Sequence, residues 1–327
     1  MEHLIAAFPQ NILQAFDAAK KLTFSKPENK IENIVLVGMG GSGIGAKIVS
    51  KWIQNEIDIP VLLYQEYDIP KFVNQNTLLI ACSYSGNTEE TLYSAEKAKN
   101  QGAHVVGICS GGKLEAFCKT NNFDCVVLPG GNPPRTTTAF SIVHIVNLLI
   151  NLDLISSSIL DQVVASKDVL EKNIEIIKEE AHQLAAFLQS KIGVYYASSD
   201  YEAVVIRAKQ QFNENSKELC IGHVIPEMNH NELVGWSGGT DQFAALFLDS
   251  QDLIPQNKRR FEVTIEEAKR WTKNVKVIKA LGQNQIEKSF YFIHVIDWAS
   301  LYLAELKNVD PVDIRAIDFL KNELSKL

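Results

Sequence analysis

The sequence predicts an α/β protein with two doubly wound domains, and three observations lead to this prediction. Short apolar, β-branched runs alternate with segments of helical spacing along the first half of the chain. The same alternation returns, more weakly, after a long helical region in the middle. The length of 327 residues suits two domains of ordinary size. Almost wholly apolar strands separated by helices are typical of a parallel sheet that is covered on both faces.

The predicted elements follow this alternation along the chain. In the first half the strands are 34–37, 61–64, 77–82, 104–109 and 125–128, and the helices are 44–53, 88–99 and 113–119. A long helical region follows at 137–151 and 158–189. In the second half the strands are 192–197, 219–224, 243–248 and 275–280, and the helices are 203–210, 265–272 and 290–306. We place the domain boundary between residues 154 and 155, which predicts domains at 1–154 and 155–327.

Composition and charge exclude several classes of protein. Hydrophobic residues make up 46% of the chain and charged residues 22%, which is the usual globular mixture. No apolar run reaches the roughly 18 to 20 residues of a transmembrane helix, and no signal peptide is expected. The net charge is −7 and no large basic patch is present, so we expect neither nucleic acid nor a membrane as partner. Five cysteines without paired spacing predict reduced thiols in a cytoplasmic protein.

A glycine-rich segment at residues 38–47 follows the first predicted strand. Its letters satisfy the G-x-G-x-x-G pattern of dinucleotide binding, and Glu66 follows the next strand, where a ribose-binding acid belongs. Gly40, Gly41 and Ser42 would equally offer backbone N–H groups to an anion at a helix N-terminus. A third interpretation is a turn that only packs the strand against the helix. This segment alone leaves all three interpretations open.

A second group of polar residues follows the third predicted strand. Ser83, Ser85 and Thr88 surround the N-terminus of a predicted helix, where hydroxyl groups and backbone amides together bind anions. Asn87 or Thr88 would also serve as an ordinary N-cap. Capping needs only one such residue, and a dinucleotide domain has no evident use for a second anion cradle. The two segments together therefore favour the terminal phosphate of a small substrate.

The ordered motifs of the chain resemble one known family. The two segments, GxGGSxxG and SxSGNTxET, are each preceded by a strand and are similar to those of the sugar isomerase (SIS) domain. The second half carries Q-F-N-E-N-S-K at 211–217, P-E-M-N-H-N-E at 226–232 and I-D-F-L-K at 317–321. With P-P-R at 133–135, this set resembles the bifunctional phosphoglucose/phosphomannose isomerase family over nearly the whole chain. The resemblance implies two SIS-type domains, with the phosphate loops in the first, catalytic residues in the second and the site between them.

The resemblance also assigns chemistry to four residues. An aldose–ketose isomerase must open the sugar ring and move a proton between C1 and C2 through a cis-enediol. The family's base falls on Glu214, and its ring-opening histidine, contributed by the neighbouring subunit, falls on His230. Arg135 follows two prolines that stiffen its loop, and it would stabilise the developing oxyanion. The family's closing motif selects Lys321 as a second cation.

Each of these four residues also has a purely structural interpretation. A lone glutamate is most often a solvated charge, and a loop histidine often bonds only a backbone carbonyl. Arg135 would then be an exposed arginine before a helix that Thr136, Thr137 or Thr138 caps. Lys321 has the spacing of an ordinary solvated lysine on the last helix.

We therefore predict a homodimeric enzyme that interconverts glucose 6-phosphate, and by the resemblance mannose 6-phosphate, with fructose 6-phosphate. Such an enzyme would belong to glycolysis and gluconeogenesis and would need no metal and no cofactor. The residue types leave open which aldose phosphate is the main substrate. Two alternatives remain. A non-catalytic sugar-phosphate sensor would bind fructose 6-phosphate without turnover, and an NAD(P)-dependent dehydrogenase would bind NADH tightly.

Overall fold

The chain forms two compact units in a computed structural model that describes residues 1–239, 241–324 and 326. The N-terminal unit comprises residues 6–171 and 282–287, and the C-terminal unit comprises residues 1–5, 172–281 and 288–327. The predicted domain boundary, between residues 154 and 155, stays a prediction, and the compact N-terminal unit continues to Glu171. No helix in the described residues is long and apolar enough to cross a membrane.

The N-terminal unit is built on a five-stranded sheet in the order β2-β1-β3-β4-β5, in which all neighbouring strands are parallel. The strands are β1 (Asn33–Gly38), β2 (Val61–Tyr64), β3 (Thr77–Cys82), β4 (His104–Cys109) and β5 (Asp124–Val127). Each predicted strand of the first half agrees with these bounds to within one residue. Parallel neighbours require crossover connections, which explains the alternation of strand and helix in the sequence.

Helices connect and cover these strands. They are α2 (Phe8–Ala19), α3 (Gly40–Ile53), α4 (Glu89–Asn100), α5 (Gly112–Thr120), α6 (Thr138–Asn151) and α7 (Ser158–Lys172). Helices α4 and α5 share one hydrophobic core with β1, β3 and β4, and α2 and α3 both pack against α6. Helix α6 is buried around almost its whole circumference, as its continuous apolar sequence requires. This strand order with covering helices is a doubly wound fold.

The C-terminal unit has a second parallel sheet, with four strands in the order β7-β6-β8-β9. The strands are β6 (Ile192–Ser198), β7 (Ile221–Ile225), β8 (Phe243–Asp249) and β9 (Val275–Lys279). The remaining helices of the chain are α1 (Glu2–Ala6), α8 (Ile174–Leu188), α9 (Glu202–Ser216), α10 (Glu232–Gly235), α11 (Pro255–Trp271), α12 (Gln285–Leu306) and α13 (Arg315–Leu324). The prediction of two parallel α/β sheets is confirmed.

Helix α9 is longer than predicted, and this matters for the site. The prediction ended the helix at residue 210, whereas the helix continues through the Q-F-N-E-N-S segment to Ser216. Gln211, Phe212, Asn215 and Ser216 are all buried, so polar residues occupy core positions that an apolar pattern does not reveal.

Other helix predictions also have wrong bounds. Helices α3 and α12 begin at Gly40 and Gln285, before the predicted starts at residues 44 and 290. Helix α11 begins at Pro255, well before the predicted start at residue 265, because its first turns are charged and mostly exposed and so carry no apolar stripe. The single helix predicted at 158–189 is divided at Asn173 into α7 and α8.

Candidate active site

The two predicted anion cradles meet at one edge of the N-terminal sheet. Strands β1 and β3 are neighbours, and Gly38 at the end of β1 pairs with Cys82 at the end of β3. The chain order reverses here, since β2 lies on the outer side of β1 while β4 and β5 continue beyond β3. In doubly wound folds the crevice at such a switch point is the usual ligand site. The segments that follow β1 and β3 therefore lie where a ligand is expected.

The glycine-rich segment is the start of a helix, not a loop. Helix α3 begins at Gly40, so Gly40, Gly41 and Ser42 form its first turn. The Gly40 backbone has a φ of +48° with open space around it, a conformation that glycine adopts without strain. A side chain at Gly43 would place its Cβ 2.2 Å from the carbonyl oxygen of Gly38. The close packing of α3 against β1 thus explains why residue 43 is a glycine. Gly40 has no side chain to cover the N-terminus of α3, and helix N-termini attract anions.

The segment after β3 is organised by its own hydroxyl groups. The Ser83 hydroxyl donates to Thr88 Oγ1 at 2.8 Å, and the Thr88 N–H donates back to Ser83 Oγ at 3.3 Å. The exposed Ser85 accepts a hydrogen bond from the Asn87 N–H at 3.2 Å. Thr88 stands at the N-cap of α4 but makes no side-chain cap bond, so capping does not account for its hydroxyl. The three predicted hydroxyls therefore surround one helix N-terminus.

Two contacts join the cradles to each other and to the segment of Arg135. Ser42 Oγ accepts a hydrogen bond from the Tyr84 N–H at 2.9 Å. A Cβ at Gly41 would lie 2.9 Å from the backbone nitrogen of Arg135, so this glycine allows α3 to approach the Arg135 main chain. These contacts place the predicted residues Gly41, Ser42 and Arg135 in one region of the N-terminal unit.

Arg135 is buried, with only 3% of its surface exposed. It lies in the 3-10 turn Pro134–Thr136, and the interpretation as an exposed arginine is wrong. The threonines do not cap α6 either, because the Thr136 and Thr137 hydroxyls donate to the carbonyls of Pro133 and Pro134 at 2.8 and 2.9 Å. These bonds hold the turn that carries Arg135.

In the C-terminal unit, Glu214 lies in the last turn of α9. The neighbouring residues anchor this turn to α12, since the Asn215 amide donates to Ser300 Oγ at 2.9 Å and the Ser216 hydroxyl donates to the Ser300 carbonyl at 2.6 Å. Glu214 is half-buried on the other side of the helix. There it lines an open, largely apolar groove of about 730 Å³. The groove is lined by Asn213, Glu214, Lys217, Asp313, Ile314, Arg315, Ala316, Ile317 and Phe319.

A buried ion pair sets the orientation of α9. Arg207 donates to Asp297 at 2.6 Å, and the Gln211 amide donates to the other carboxylate oxygen at 2.8 Å. Nearby on α12, burial lowers the pKa of His294 to about 3, so the neutral ring accepts the indole N–H of Trp298 at 3.2 Å. These contacts link α9 to α12 and so determine which face carries Glu214.

His230 and Lys321 are both exposed in the C-terminal unit. His230 ends the 3-10 turn Glu227–His230, which follows β7, and Lys321 lies on α13, a helix with no buried residue. Within the described residues, the structure brings Glu214 beside α13 but does not bring His230 or Lys321 into the groove. Among all the residues that the structure describes, no group of three or more His, Cys, Asp or Glu side chains is placed to hold a metal ion.

A cluster of side chains that the sequence does not predict lies beside the His230 turn. Glu232 accepts a hydrogen bond from the Tyr196 hydroxyl at 2.6 Å, and its other carboxylate oxygen lies 2.8 Å from Nδ1 of His223. The Trp236 indole donates to the Tyr196 oxygen at 3.0 Å. Burial raises the pKa of Tyr196, which therefore remains a donor. In the sequence, the one pointer to Glu232 is the motif at 226–232, which ends on this residue. The pairing of β6 with β7, which brings Tyr196 and His223 together, cannot be read from the sequence.

Comparison with known families identifies the class to which this arrangement belongs. The SIS domain model matches residues 29–124, which include both anion cradles. The model of the bacterial phospho-glucose isomerase C-terminal SIS domain matches residues 177–324, which include Glu214, His230 and Lys321. The chain is a protein of the SIS-domain class.

Related proteins narrow the class to one family. The bifunctional phosphoglucose/phosphomannose isomerase of Thermoplasma acidophilum is 37% identical over 90% of this chain and 90% of that protein. The protein of the same name from Caldicellulosiruptor bescii is 32% identical over 98% of this chain and 97% of that protein. The chain belongs to the bifunctional phosphoglucose/phosphomannose isomerase family and is an isomerase. A D-glucosamine-6-phosphate 4-epimerase of Sulfolobus acidocaldarius is more distant, at 27% identity over 90% of both chains.

Solved structures agree with the fold. The C-terminal domain of the glucosamine-fructose-6-phosphate aminotransferase of Francisella tularensis superimposes with a TM-score of 0.76 at 15% identity, over 94% of this chain and 96% of that one. The tagatose-6-phosphate ketose/aldose isomerase of Escherichia coli gives 0.71 at 15% identity, over 95% and 94%. At this level of identity the likeness shows the fold alone.

Proposed function

We propose that this enzyme interconverts glucose 6-phosphate and mannose 6-phosphate with fructose 6-phosphate through a cis-enediol. One observation carries the proposal: in a chain of this family, two anion cradles meet at the switch point of the first sheet. The dehydrogenase and sensor alternatives would need a function outside that family. Four relatives that bear the name phosphoglucose/phosphomannose isomerase are 32% to 37% identical to this chain.

The substrate phosphate is assigned to the N-terminal unit. The hydroxyls of Ser42, Ser85 and Thr88 can rotate to donate to phosphate oxygens. Ser83 was predicted to do the same, but its side chain is fully buried and donates to Thr88, so its part here is to hold Thr88 in place. The helix N-termini at Gly40 and Thr88 add backbone dipoles of the favourable sign. Such a neutral cradle binds a phosphate dianion without adding positive charge to a chain whose net charge is −7.

Proton transfer is assigned to Glu214. In the open aldose, the carboxylate removes the hydrogen from C2, and the charge that develops on O1 is stabilised by Arg135 and Lys321. The proton of the O2 hydroxyl then passes to O1, which moves the negative charge of the cis-enediolate to O2. The Glu214 carboxyl, whose proton can exchange with solvent, protonates C1, and the C2 carbonyl of the ketose forms. C2 is planar in the enediol, and rotation about the C2–C3 bond would turn either face of C2 toward the Glu214 carboxyl, so one site would serve both aldose epimers.

Ring opening is assigned to His230, which would take the proton of the anomeric hydroxyl and return one to the ring oxygen. The exposed position of His230 supports its donation to the site of a second copy, and we propose a homodimer for this reason. All five cysteines are free, which supports a reducing compartment such as the cytoplasm. No step in this scheme calls on a metal or an organic cofactor.

The test is solvent-proton exchange followed by NMR in deuterated water. Purified protein with glucose 6-phosphate should form fructose 6-phosphate with deuterium at C1, and deuterium should enter C2 of the aldose. Glu214→Gln should lower kcat by about 10²- to 10⁴-fold, the usual contribution of a general base, and still bind fructose 6-phosphate. Glu175→Gln, which alters an exposed carboxylate on α8, is the matched control and should be fully active.

Several results would contradict the proposal. Full turnover by Glu214→Gln would show that Glu214 is not the catalytic base. Absence of deuterium at both C1 and C2 after many turnovers at equilibrium would contradict the enediol, because a proton held on the Glu214 carboxyl exchanges with solvent. Activity confined to C4 epimerisation of an amino sugar phosphate would show that this chain shares the activity named for the Sulfolobus acidocaldarius relative, and not isomerisation.

A further inference from the structure

We propose that Glu232, held by Tyr196 and His223, is a positioning residue that fixes the turn carrying His230. This inference rests on the role proposed for His230 in ring opening. It adds to that role three residues whose side chains form one connected group on the C-terminal unit.

The Glu232 carboxylate is fixed at both oxygens. One oxygen accepts the Tyr196 hydroxyl at 2.6 Å, and the other lies 2.8 Å from Nδ1 of His223. Tyr196 and His223 are register partners on the neighbouring parallel strands β6 and β7. Both partners therefore come from the rigid sheet, and a carboxylate bound at both oxygens has little rotational freedom.

The Tyr196 ring is itself held in place. Its oxygen accepts the Trp236 indole N–H at 3.0 Å. The ring packs edge-on against Trp236, with centroids 6.4 Å apart, and lies 5.2 Å from Phe247. Tyr196 and Trp236 are both buried, at 0% and 5% exposure. The support for Glu232 thus extends into the hydrophobic core of the unit.

The turn between Pro226 and Glu232 is fixed at several points around His230. Met228 is fully buried, and the Asn229 amide donates to Thr264 Oγ1 of α11 at 2.7 Å. Asn231 accepts the Glu232 N–H at 2.5 Å. His230 is the exception, because its side chain is exposed and makes no hydrogen bond to any residue that the structure describes. The arrangement presents one imidazole to the outside from an otherwise anchored turn.

This arrangement matters for proton transfer because the imidazole of His230 must lie within hydrogen-bond distance of the substrate oxygen. A misplacement of about 1 Å at a reacting group can cost about 10²-fold in rate. Glu232 lies two residues after His230, so its anchor fixes the chain directly beyond the imidazole. Loss of that anchor should therefore reduce turnover through His230 and leave the phosphate cradle, and hence KM, unchanged.

The test is a double-mutant cycle with the full chain and glucose 6-phosphate as substrate. Glu232→Gln should lower kcat about 10- to 100-fold with KM unchanged. His230→Asn should lower kcat at least as much, and adding Glu232→Gln to it should cause no further fall, because the residue acts through His230. If the two effects multiply, or if Glu232→Gln has wild-type kcat, the positioning role is wrong.

Three further variants keep the test decisive. Glu227→Gln removes the same charge from the same turn, retains an oxygen acceptor for Asn231, and should be fully active; an equal loss there would refute a specific role for Glu232. Tyr196→Phe removes one bond to Glu232 and keeps the ring, so it should show a smaller fall in kcat, and it replaces Glu232→Gln if that variant does not fold. Glu232→Asp keeps the charge and should recover part of the loss.

The outcomes separate this inference from the proposed function. An inactive wild type would refute the proposed function. A fully active His230→Asn variant would refute the ring-opening role of His230 and, with it, this inference, but not the isomerisation assigned to Glu214. A strongly impaired His230→Asn variant beside a normal Glu232→Gln variant would refute only the positioning role.

Discussion

The two units carry their polar groups in different ways. In the N-terminal unit, the candidate phosphate site consists of hydroxyls and helix N-termini that lie directly after two adjacent strands. In the C-terminal unit, Glu214, His230 and Lys321 lie at the end of a helix, on a 3-10 turn and on an exposed helix. The difference suits their proposed tasks, because a permanent phosphate charge is matched by fixed dipoles, whereas proton transfer needs ionisable side chains.

The supports of the two sites also differ. The cradles of the N-terminal unit are held by local hydrogen bonds within and between short segments, such as those of Ser83 with Thr88. The residues of the C-terminal unit depend on contacts between segments far apart in sequence, such as Arg207 with Asp297. Changes to the first unit should therefore affect binding, and changes to the second should affect turnover or stability.

The largest effect on stability is expected at the buried ion pair behind Glu214. Asp297→Ala leaves the Arg207 charge buried beside a lost partner and should lower the free energy of unfolding by about 3–5 kcal/mol. Urea denaturation followed by circular dichroism measures this loss. Lys26→Ala, which breaks an exposed ion pair with Asp153 in the N-terminal unit, is the control and should leave the midpoint unchanged. A midpoint for Asp297→Ala equal to that of the control would show that the pair does not stabilise the protein.

An intermediate effect is expected at the phosphate cradle. Ser85→Ala removes one exposed donor to a charged ligand and should raise the Kd of fructose 6-phosphate about 10- to 100-fold, with kcat little changed. Isothermal titration and steady-state kinetics give the two quantities. Ser50→Ala, which removes a hydroxyl that bonds the Lys47 carbonyl on α3, should bind normally. A fall in kcat at constant Kd would contradict the assignment of substrate binding to the N-terminal unit and of turnover to the C-terminal unit.

The smallest effect, counted per pH unit, concerns acid stability, and each unit contributes one buried histidine. Burial lowers the pKa of His144 in α6 to about 4 and that of His294 in α12 to about 3. Each ring is therefore neutral when folded but takes up a proton near pH 6.5 when unfolded. Their contribution to stability is complete above pH 6.5 and falls on acidification by at most about 1.4 kcal/mol per histidine per pH unit.

Substitution of one histidine tests this effect. His294→Gln removes one titrating group and keeps an acceptor for Trp298, so the unfolding free energy should fall less steeply between pH 6.5 and pH 4 than in the wild type. Urea titrations at several pH values give the two slopes. Equal slopes would mean that His294 is not neutral and buried in the folded protein.

Much of the N-terminal unit could be predicted because its signals are local. Its strands are continuous apolar runs between helices, so their bounds agree with the prediction to within one residue. The cradle residues Ser83, Ser85 and Thr88 directly follow a strand and precede a helix, and that order alone places them at the sheet edge.

In the C-terminal unit, three of the four strands also agree with the prediction to within one residue, but the helix ends and polar contacts were harder to predict because polar residues serve the core. Gln211, Asn215 and Ser216 are buried through bonds to α12, so the end of α9 looked like a loop in the sequence. Glu232 gave no signal of its own, since its partners Tyr196 and His223 become neighbours only when β6 pairs with β7.

By itself, the sequence determined the alternation of strands and helices, the two hydroxyl and glycine cradles, and the family motifs, because each depends on residues adjacent in the chain. Only the tertiary structure decided that Arg135 is buried, that α9 presents Glu214 to a groove, and that Glu232 joins two strands. These features depend on which distant side chains satisfy a buried charge or hydrogen bond, and that choice is made only when the chain packs.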